Sequence, residues 1–337
     1  MMITNCRPIF HIKYSPLFLI LFLVFIISTS LLFFVDASTG ENNQAESKSK
    51  DLNNFNFVVA GDFGCTEEAK KTIQGMLNKE PELVIALGDL ADKKIPDCWF
   101  NMITPLDNNN RFKISFGWDE VSGKYDKYNQ YLKHFNLSKP YYSFDYKNIH
   151  FLAMATPKNR IIPFNETSEQ YEFIKKDLVK AHNNRSIDWI IVYSYRSFYS
   201  SNTTHPGLDE LQEAYHPLFD KYHVDVVLQA HNHNYQRTYP ISYNNTKQST
   251  PVITDTNTEY YNDIEKGQIF FTVGTGGADL YNITGQAPYV VEQFLRHGFL
   301  NVDVIDNGSK ISTQFFDDTG TAYDHITISK KTKRDIP

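Results

Sequence analysis

Seven short apolar runs, rich in β-branched and aromatic residues and bounded by loop formers, recur along the chain. They are Phe57 to Ala60, Leu83 to Leu87, Lys113 to Phe116, His150 to Met154, Trp189 to Tyr193, Val224 to Gln229 and Ile269 to Val273. Runs of this length and composition read as buried strands. Between them, helical patterns appear. Thr66 to Leu77 opens on a Thr N-cap with acids in its first turn, and Ser168 to Asn184 carries apolar residues at a 3.6 period behind a Ser. Strands alternating with helices predict an α/β layered fold. Gly298 to Gly320 instead alternates apolar and polar residues around an Asp-Asn-Gly turn, which predicts a hairpin.

The amino end follows a different pattern. Pro16 to Val35 is uncharged and apolar, about the 20 residues needed to cross a bilayer. Arg7 and Lys13 precede it, which leaves residues 1–15 in the cytoplasm and exports everything after Asp36. An uncleaved anchor over 16–35 is the favoured reading. The rival is a signal peptide cut near Ala37, since Val35-Asp36-Ala37 has the small-x-small form. Residues 36–54 are polar and without a folding pattern, a flexible tether. The folded domain is expected over 55–330, with a short tail at 331–337.

Composition narrows the partners. The chain has 337 residues, of which 41% are hydrophobic and 15% aromatic, enough for a packed core. Its formal net charge is -6 and its basic residues are scattered, which excludes a nucleic-acid footprint and leaves a small or polar partner. The oligomeric state is not encoded in any such pattern.

Seven Asn-x-Ser/Thr sequons begin at Asn136, Asn165, Asn184, Asn202, Asn244, Asn282 and Asn307, in keeping with an exported surface. Cys65 and Cys98 are the cysteines beyond the apolar segment. Each follows a strand-ending Asp, so neighbouring strands would bring both loops to one sheet edge. A disulfide in an oxidising compartment is one reading, and two free buried thiols are the other.

Candidate chemistry gathers at strand ends. Asp62 and Asp89 each follow a strand-ending Gly, where ligands bind in open α/β sheets. His231 and His233 follow a third strand, and Asp with His is a mixed ligand set suited to Zn, Mn or Fe. The glycine-rich stretch Gly267 to Asn282 reads as a tight loop, with substrate contact through its amides as the alternative.

In this order, "GDFG", "GDLAD", "AHNHNYQRTYP" and the flanking "YYSFDYKNIHFLAM" resemble the calcineurin-like metallophosphoesterases, most closely the purple acid phosphatase branch, over about Phe55 to Ala278. The resemblance implies a four-layer αββα fold, a β-sandwich flanked by helices. It also implies two metals about 3.5 Å apart that clamp a phosphate ester while a metal-bound hydroxide attacks. By the same resemblance Asp62 and His233 serve the first metal, Asp89 bridges and His231 serves the second.

Three positions depart from the family's pattern. Its Gly-Asn-His-Glu/Asp block aligns with Gly117-Trp118-Asp119-Glu120, so Trp118 replaces a ligand Asn and Asp119 replaces the His that acts on phosphate. Its Val-x-x-His block aligns with Val192 to Tyr195, so a phenol replaces an imidazole ligand. Asp92 stands where the purple branch has its iron-binding Tyr, which removes the tyrosinate colour and makes Asp92 a minor ligand candidate.

With only Asp89 and His231 left, the second site falls below the three-ligand norm, and one ion is expected, with a rebuilt pair of ions as the alternative. Trp118 either fills the vacated pocket or forms a stacking wall. Asp119 is a general acid only if burial raises its pKa; otherwise it is a solvated loop acid. Two functions follow. One is an exported, anchored, acid phosphatase-like phosphoesterase on an impaired metal site, acting on small phosphorylated substrates. The other is an inactive homologue that binds a phosphorylated or glycan ligand or a protein.

Overall fold

A computed structural model describes residues 52–331 except 94, 109, 123–125, 158–160 and 263–266. The segments expected at 1–15 and 16–35, most of the tether and the tail beyond residue 331 lie outside the described residues. Among the described residues no helix is long and apolar enough to cross a membrane.

In chain order the first half contains β1 (Phe55–Ala60), α1 (Glu67–Leu77), β2 (Leu83–Ala86), α2 (Asp97–Ile103), β3 (Phe112–Ile114), α3 (Trp118–Val121), α4 (Lys127–His134), β4 (Tyr142–Tyr146) and β5 (Ile149–Ala153). Next come α5 (Glu169–Asn183), β6 (Trp189–Tyr193), α6 (Asp209–Tyr222), β7 (Val226–Gln229), β8 (Tyr235–Thr238), β9 (Ile241–Ser242), β10 (Val252–Ile253) and β11 (Tyr260–Asn262). The chain closes with β12 (Ile269–Val273), β13 (Val290–Phe294), β14 (Gly298–Ile305), β15 (Lys310–Asp317) and β16 (Ala322–Ser329).

The local chemistry explains several boundaries. Thr66 caps α1 by accepting the Ala69 N–H, and Ser168 caps α5 by accepting that of Tyr171. Both helices therefore start where the sequence signals them. The Asp306-Asn307-Gly308 turn takes three left-handed residues, φ 52°, 55° and 84°, and joins β14 to β15 in antiparallel register.

The strands form two seven-stranded sheets, in the spatial orders β11-β16-β15-β14-β1-β2-β3 and β13-β8-β12-β7-β6-β5-β4. Their interiors are parallel, β1 with β2 with β3, and β5 with β6 with β7 with β12. The edges are closed by antiparallel partners such as β14 and β8. One apolar cluster joins the two sheets, with Phe57 of β1 meeting Phe151 of β5 edge-on at 5.4 Å. A second lies where Ile174 and Leu178 of α5 and Leu211 and Phe219 of α6 cover Leu152, Val192 and Val227. Each such side chain contributes roughly 1.5–3 kcal/mol by leaving water. Helices on a pair of packed mixed sheets give the layered architecture expected.

All seven predicted strands are present, within one or two residues of their expected ends. Less legible were β4, β8, β13 and β16, whose burial patterns mix exposed and buried positions or, in β8, bury polar side chains such as Gln236 and Arg237. The buried Arg237 guanidinium forms a two-pronged pair with Asp324, at 2.7 Å for both contacts, tying β8 to β16 across the sheets.

Candidate functional site

The loops after β1, β2, β3, β6 and β7 leave the carboxyl ends of their strands and meet at one rim. They deliver Asp62, Asp89, Trp118 with Asp119, Tyr195, and His231 with His233. Three of these residues hold left-handed backbone conformations, Asp62 at φ 55°, Asp89 at 46° and His231 at 70°. Strain of this kind costs on the order of 1–3 kcal/mol per residue and persists where surrounding bonds enforce it. Here they do. The Asp62 N–H donates to the Gly88 carbonyl at 3.0 Å, the Phe63 N–H to the Asp89 carbonyl at 3.1 Å, and the His231 N–H to Asp62 Oδ2 at 2.8 Å.

Tyr195 occupies the centre of this meeting point. Its hydroxyl donates to Asp89 Oδ2 at 2.5 Å, and its oxygen lies 2.6 Å from His231 Nδ1. A hydroxyl has one proton, so with that proton on Asp89 the contact to His231 is filled by the imidazole Nδ1–H. In that arrangement His231 Nδ1 carries its proton toward Tyr195 and offers no lone pair on that side. Asp89 Oδ1 is engaged too, accepting the Asp119 N–H at 2.9 Å. Gly117 makes this packing possible, since a Cβ there would stand 2.5 Å from Asp89 Oδ1.

Burial, with the charges of Glu120, Asp62 and Asp119, holds Asp89 well above the usual carboxylate range, against the pull of the Tyr195 hydrogen bond. Burial likewise pushes the Tyr195 phenol far above its ordinary value, with the Asp89 charge adding to it. The phenol therefore remains neutral. The residues around it do not fit a two-metal centre: Asp89 and His231, which the resemblance assigns to the second metal, are both bonded to a neutral hydroxyl.

The first position differs. Asp62 is buried, with Oδ2 taken by the His231 N–H and Oδ1 facing His233. It lies 3.5 Å from His233 Nε2. Two ligands each about 2.1 Å from one tetrahedral ion stand roughly 3.4 Å apart, so this pair retains ligand spacing. Among the described residues, however, no three His, Cys, Asp or Glu side chains converge as a ready-made metal cage. Burial lowers the His233 pKa, but the Asp62 charge and the Asp279 carbonyl outweigh it and the net shift is upward.

Two rings that no sequence motif identified complete the site. Tyr281 stacks on His233 at 3.9 Å and 10°, and His205 stacks on His231 at 3.8 Å and 15°. His205 and Tyr281 meet edge to face at 5.4 Å. His233 Nδ1 donates to the Asp279 carbonyl at 2.7 Å, which orients Nε2 toward Asp62. Asp279 and Tyr281 belong to the glycine-rich stretch, which also packs behind the site: the Gly276 N–H donates to the Gly61 carbonyl and the Ala278 N–H to that of Asp62. The stretch is thus a tight loop that orients His233.

The third block has a structural role. Glu120 is fully buried and its carboxylate accepts three backbone amides, those of Asp89 at 3.0 Å, Leu90 at 2.8 Å and Gly117 at 2.7 Å. It is not aimed as a ligand; it holds the β2 and β3 loops together. Burial pushes its pKa up to about 7 against the pull of the Leu90 amide. Asp119 is half-buried instead of a freely solvated loop acid. Burial raises its pKa, with Lys127 opposing and Asp62 adding.

Trp118 is half-buried on α3 and belongs to neither apolar cluster, while the Tyr195 hydroxyl is the group bonded to Asp89. Asp92 is exposed, with its carboxylate on the Cys65 N–H at 3.2 Å and on Lys93 at 3.1 Å. Cys65 and Cys98 form a disulfide, with Cα atoms 6.1 Å apart, that links the β1 loop to the start of α2.

Comparison with known proteins agrees with this geometry. Residues 55–235 match the calcineurin-like phosphoesterase family. Purple acid phosphatase 21 of Arabidopsis thaliana is 27% identical over 241 residues, 66% of this chain and 49% of that protein. A protein described as probable inactive purple acid phosphatase 27, from the same plant, is 28% identical over 203 residues, 58% of this chain and 31% of its own. The chain thus spans about half, or less, of the length of these relatives. Among solved structures, the purple acid phosphatase PPD1 from yellow lupin seeds superposes with a TM-score of 0.69 at 23% identity, covering 84% of this chain and 55% of that one. GAP50, the anchor in the inner membrane complex of Plasmodium, gives 0.54 at 17% identity, covering 83% and 90%. With the strand-end Asp and His residues at one rim of a two-sheet fold, these matches lead to one conclusion: the chain belongs to the calcineurin-like phosphoesterase family and is related to the purple acid phosphatases.

Proposed function

We propose that this chain is an exported, purple acid phosphatase-like protein whose two-metal centre is closed, and that its cleft binds a small phosphorylated or glycan ligand without hydrolysing it. The Tyr195 hydroxyl bonded at once to Asp89 and His231 carries this reading. Two-metal hydrolysis needs a second ion to clamp the ester and supply the nucleophile. Loss of one transition-state donor alone costs about a hundredfold in rate. Here a ligand Asn, a His and a ligand His are replaced together, by Trp118, Asp119 and Tyr195. Export and anchoring by residues 16–35 are supported by that segment's apolar length and by the Cys65–Cys98 disulfide.

A second reading rests on Asp62 and His233. Their 3.5 Å spacing favours one Zn, Mn or Fe ion held by this pair, with Asp89 as the next ligand, in a slow one-metal phosphoesterase. One experiment separates the two. The exported domain is incubated with a chromogenic phosphate ester, with and without added Zn, Mn and Fe, and with a chelator. The binding reading expects no chelator-sensitive hydrolysis. Chelator-sensitive turnover that Asp62→Asn abolishes would establish the one-metal enzyme instead.

A further inference from the structure

The fold treats the seven sequons unequally. Asn244 donates its side-chain amide to the Thr250 carbonyl at 2.8 Å. Asn307 is half-buried in the β14–β15 turn, bonded to Asn53 and Asn54. Asn165 is half-buried in the wall of a cavity shared with Tyr141 and Phe164. Asn136 and Asn184 are exposed in the turns that end α4 and α5.

Asn202 and Asn282 combine exposure with position. Both are exposed, and among the described residues neither side-chain amide donates a hydrogen bond. Their loops run together, since Thr284 donates its N–H to the Asn202 carbonyl at 2.9 Å. Asn282 directly follows Tyr281, and Asn202 lies just before His205 on the facing loop. His205 and Tyr281 are the two rings that roof His231 and His233. Two acceptor asparagines therefore lie on the two loops whose rings stack on His231 and His233.

We propose that Asn202 and Asn282 both carry N-linked oligosaccharides, on the two loops that bring His205 and Tyr281 over His231 and His233. The inference rests on export of the domain. In the transfer, the Asn Nδ2 attacks the anomeric carbon of an oligosaccharide carried on a lipid diphosphate. The N–C bond forms, the C–O bond to the diphosphate breaks, the lipid diphosphate leaves with the bonding pair, and the amide loses one proton. Glycans are bulky and solvated, and these two would sit beside the candidate site.

The full chain is expressed through a eukaryotic secretory route, and its peptides are mapped by mass spectrometry before and after enzymatic glycan removal. The Cys65–Cys98 bond is followed on the same sample. The expected result is glycan on both Asn202 and Asn282, with Asn202→Gln and Asn282→Gln each removing one glycan's mass. A formed disulfide with either asparagine bare overturns the proposal and leaves export standing, whatever the other sequons carry. Free thiols with no glycan anywhere overturn both export and the proposal.

Discussion

Tyr195 and Asp89 share a hydrogen bond of 2.5 Å across the rim of the two sheets, and the same phenol meets His231 at 2.6 Å. The two residues that the resemblance assigns to the second metal are thereby held by one neutral side chain. Tyr195→Phe keeps the ring and removes the hydroxyl that the half-buried Asp89 and His231 share. The expected cost is about 1–3 kcal/mol, read as a lower denaturant midpoint at an unchanged slope. A midpoint equal to wild type would show that the network adds no stability.

Glu120 is the anchor of the loops that present Asp89 and Trp118. Its two oxygens accept three amides, and a Gln at that position turns one acceptor into a donor facing an N–H. Glu120→Gln is expected to destabilise by about 1–3 kcal/mol, while Asp119→Asn, half-buried beside it, costs less. Thermal denaturation of the two variants side by side checks the ranking.

The Cys65–Cys98 disulfide closes a sequence separation of 33 residues that includes Asp89 and Asp92. Removing it with paired Ser substitutions is expected to cost about 3–4 kcal/mol by the loop-closure argument. The comparison is made by chemical denaturation. A loss equal to that of either single substitution would show that the bond acts as one unit.

His150 on β5 is buried between two carboxylates, Asp145 at 2.6 Å and Asp177 at 2.8 Å. Burial lowers its pKa, but the hydrogen bonds and charges of Asp177 and Asp145 outweigh it and the net shift is upward. A raised pKa means stability fully present below the unfolded value near 6.5 and lost as pH rises through the folded value. The denaturation midpoint should therefore fall from pH 6 toward pH 8, and Asp177→Asn should flatten that fall. An equal slope in the variant would contradict the assignment.

The strand-end residues Asp62, Asp89, His231 and His233 were legible in the sequence because each follows an apolar run and a small residue, so topology alone carries them to one edge. The rest required the loops to meet. Tyr195 reads in sequence as a missing imidazole; only the approach of the β2, β6 and β7 loops shows its hydroxyl satisfying the ligands left behind. Glu120 reads as a loop acid, and its burial under three amides depends on the backbone path of two loops. His205 and Tyr281 follow no strand directly and have no motif, so only their stacking on His231 and His233 identifies them. Trp118 reads as a bulky replacement for a ligand, and only its place on the first turn of α3 shows it half-buried.

The most direct test of the closed centre is metal stoichiometry. The wild-type domain and a Tyr195→His, Trp118→Asn, Asp119→His variant are loaded with Zn, Mn or Fe, desalted, and measured by elemental analysis. The wild type should hold at most one ion per chain, and the variant should gain one more together with phosphate ester hydrolysis at least about a hundredfold above wild type. Two ions in the wild-type chain would contradict the account, because Tyr195 would then have to leave both Asp89 and His231.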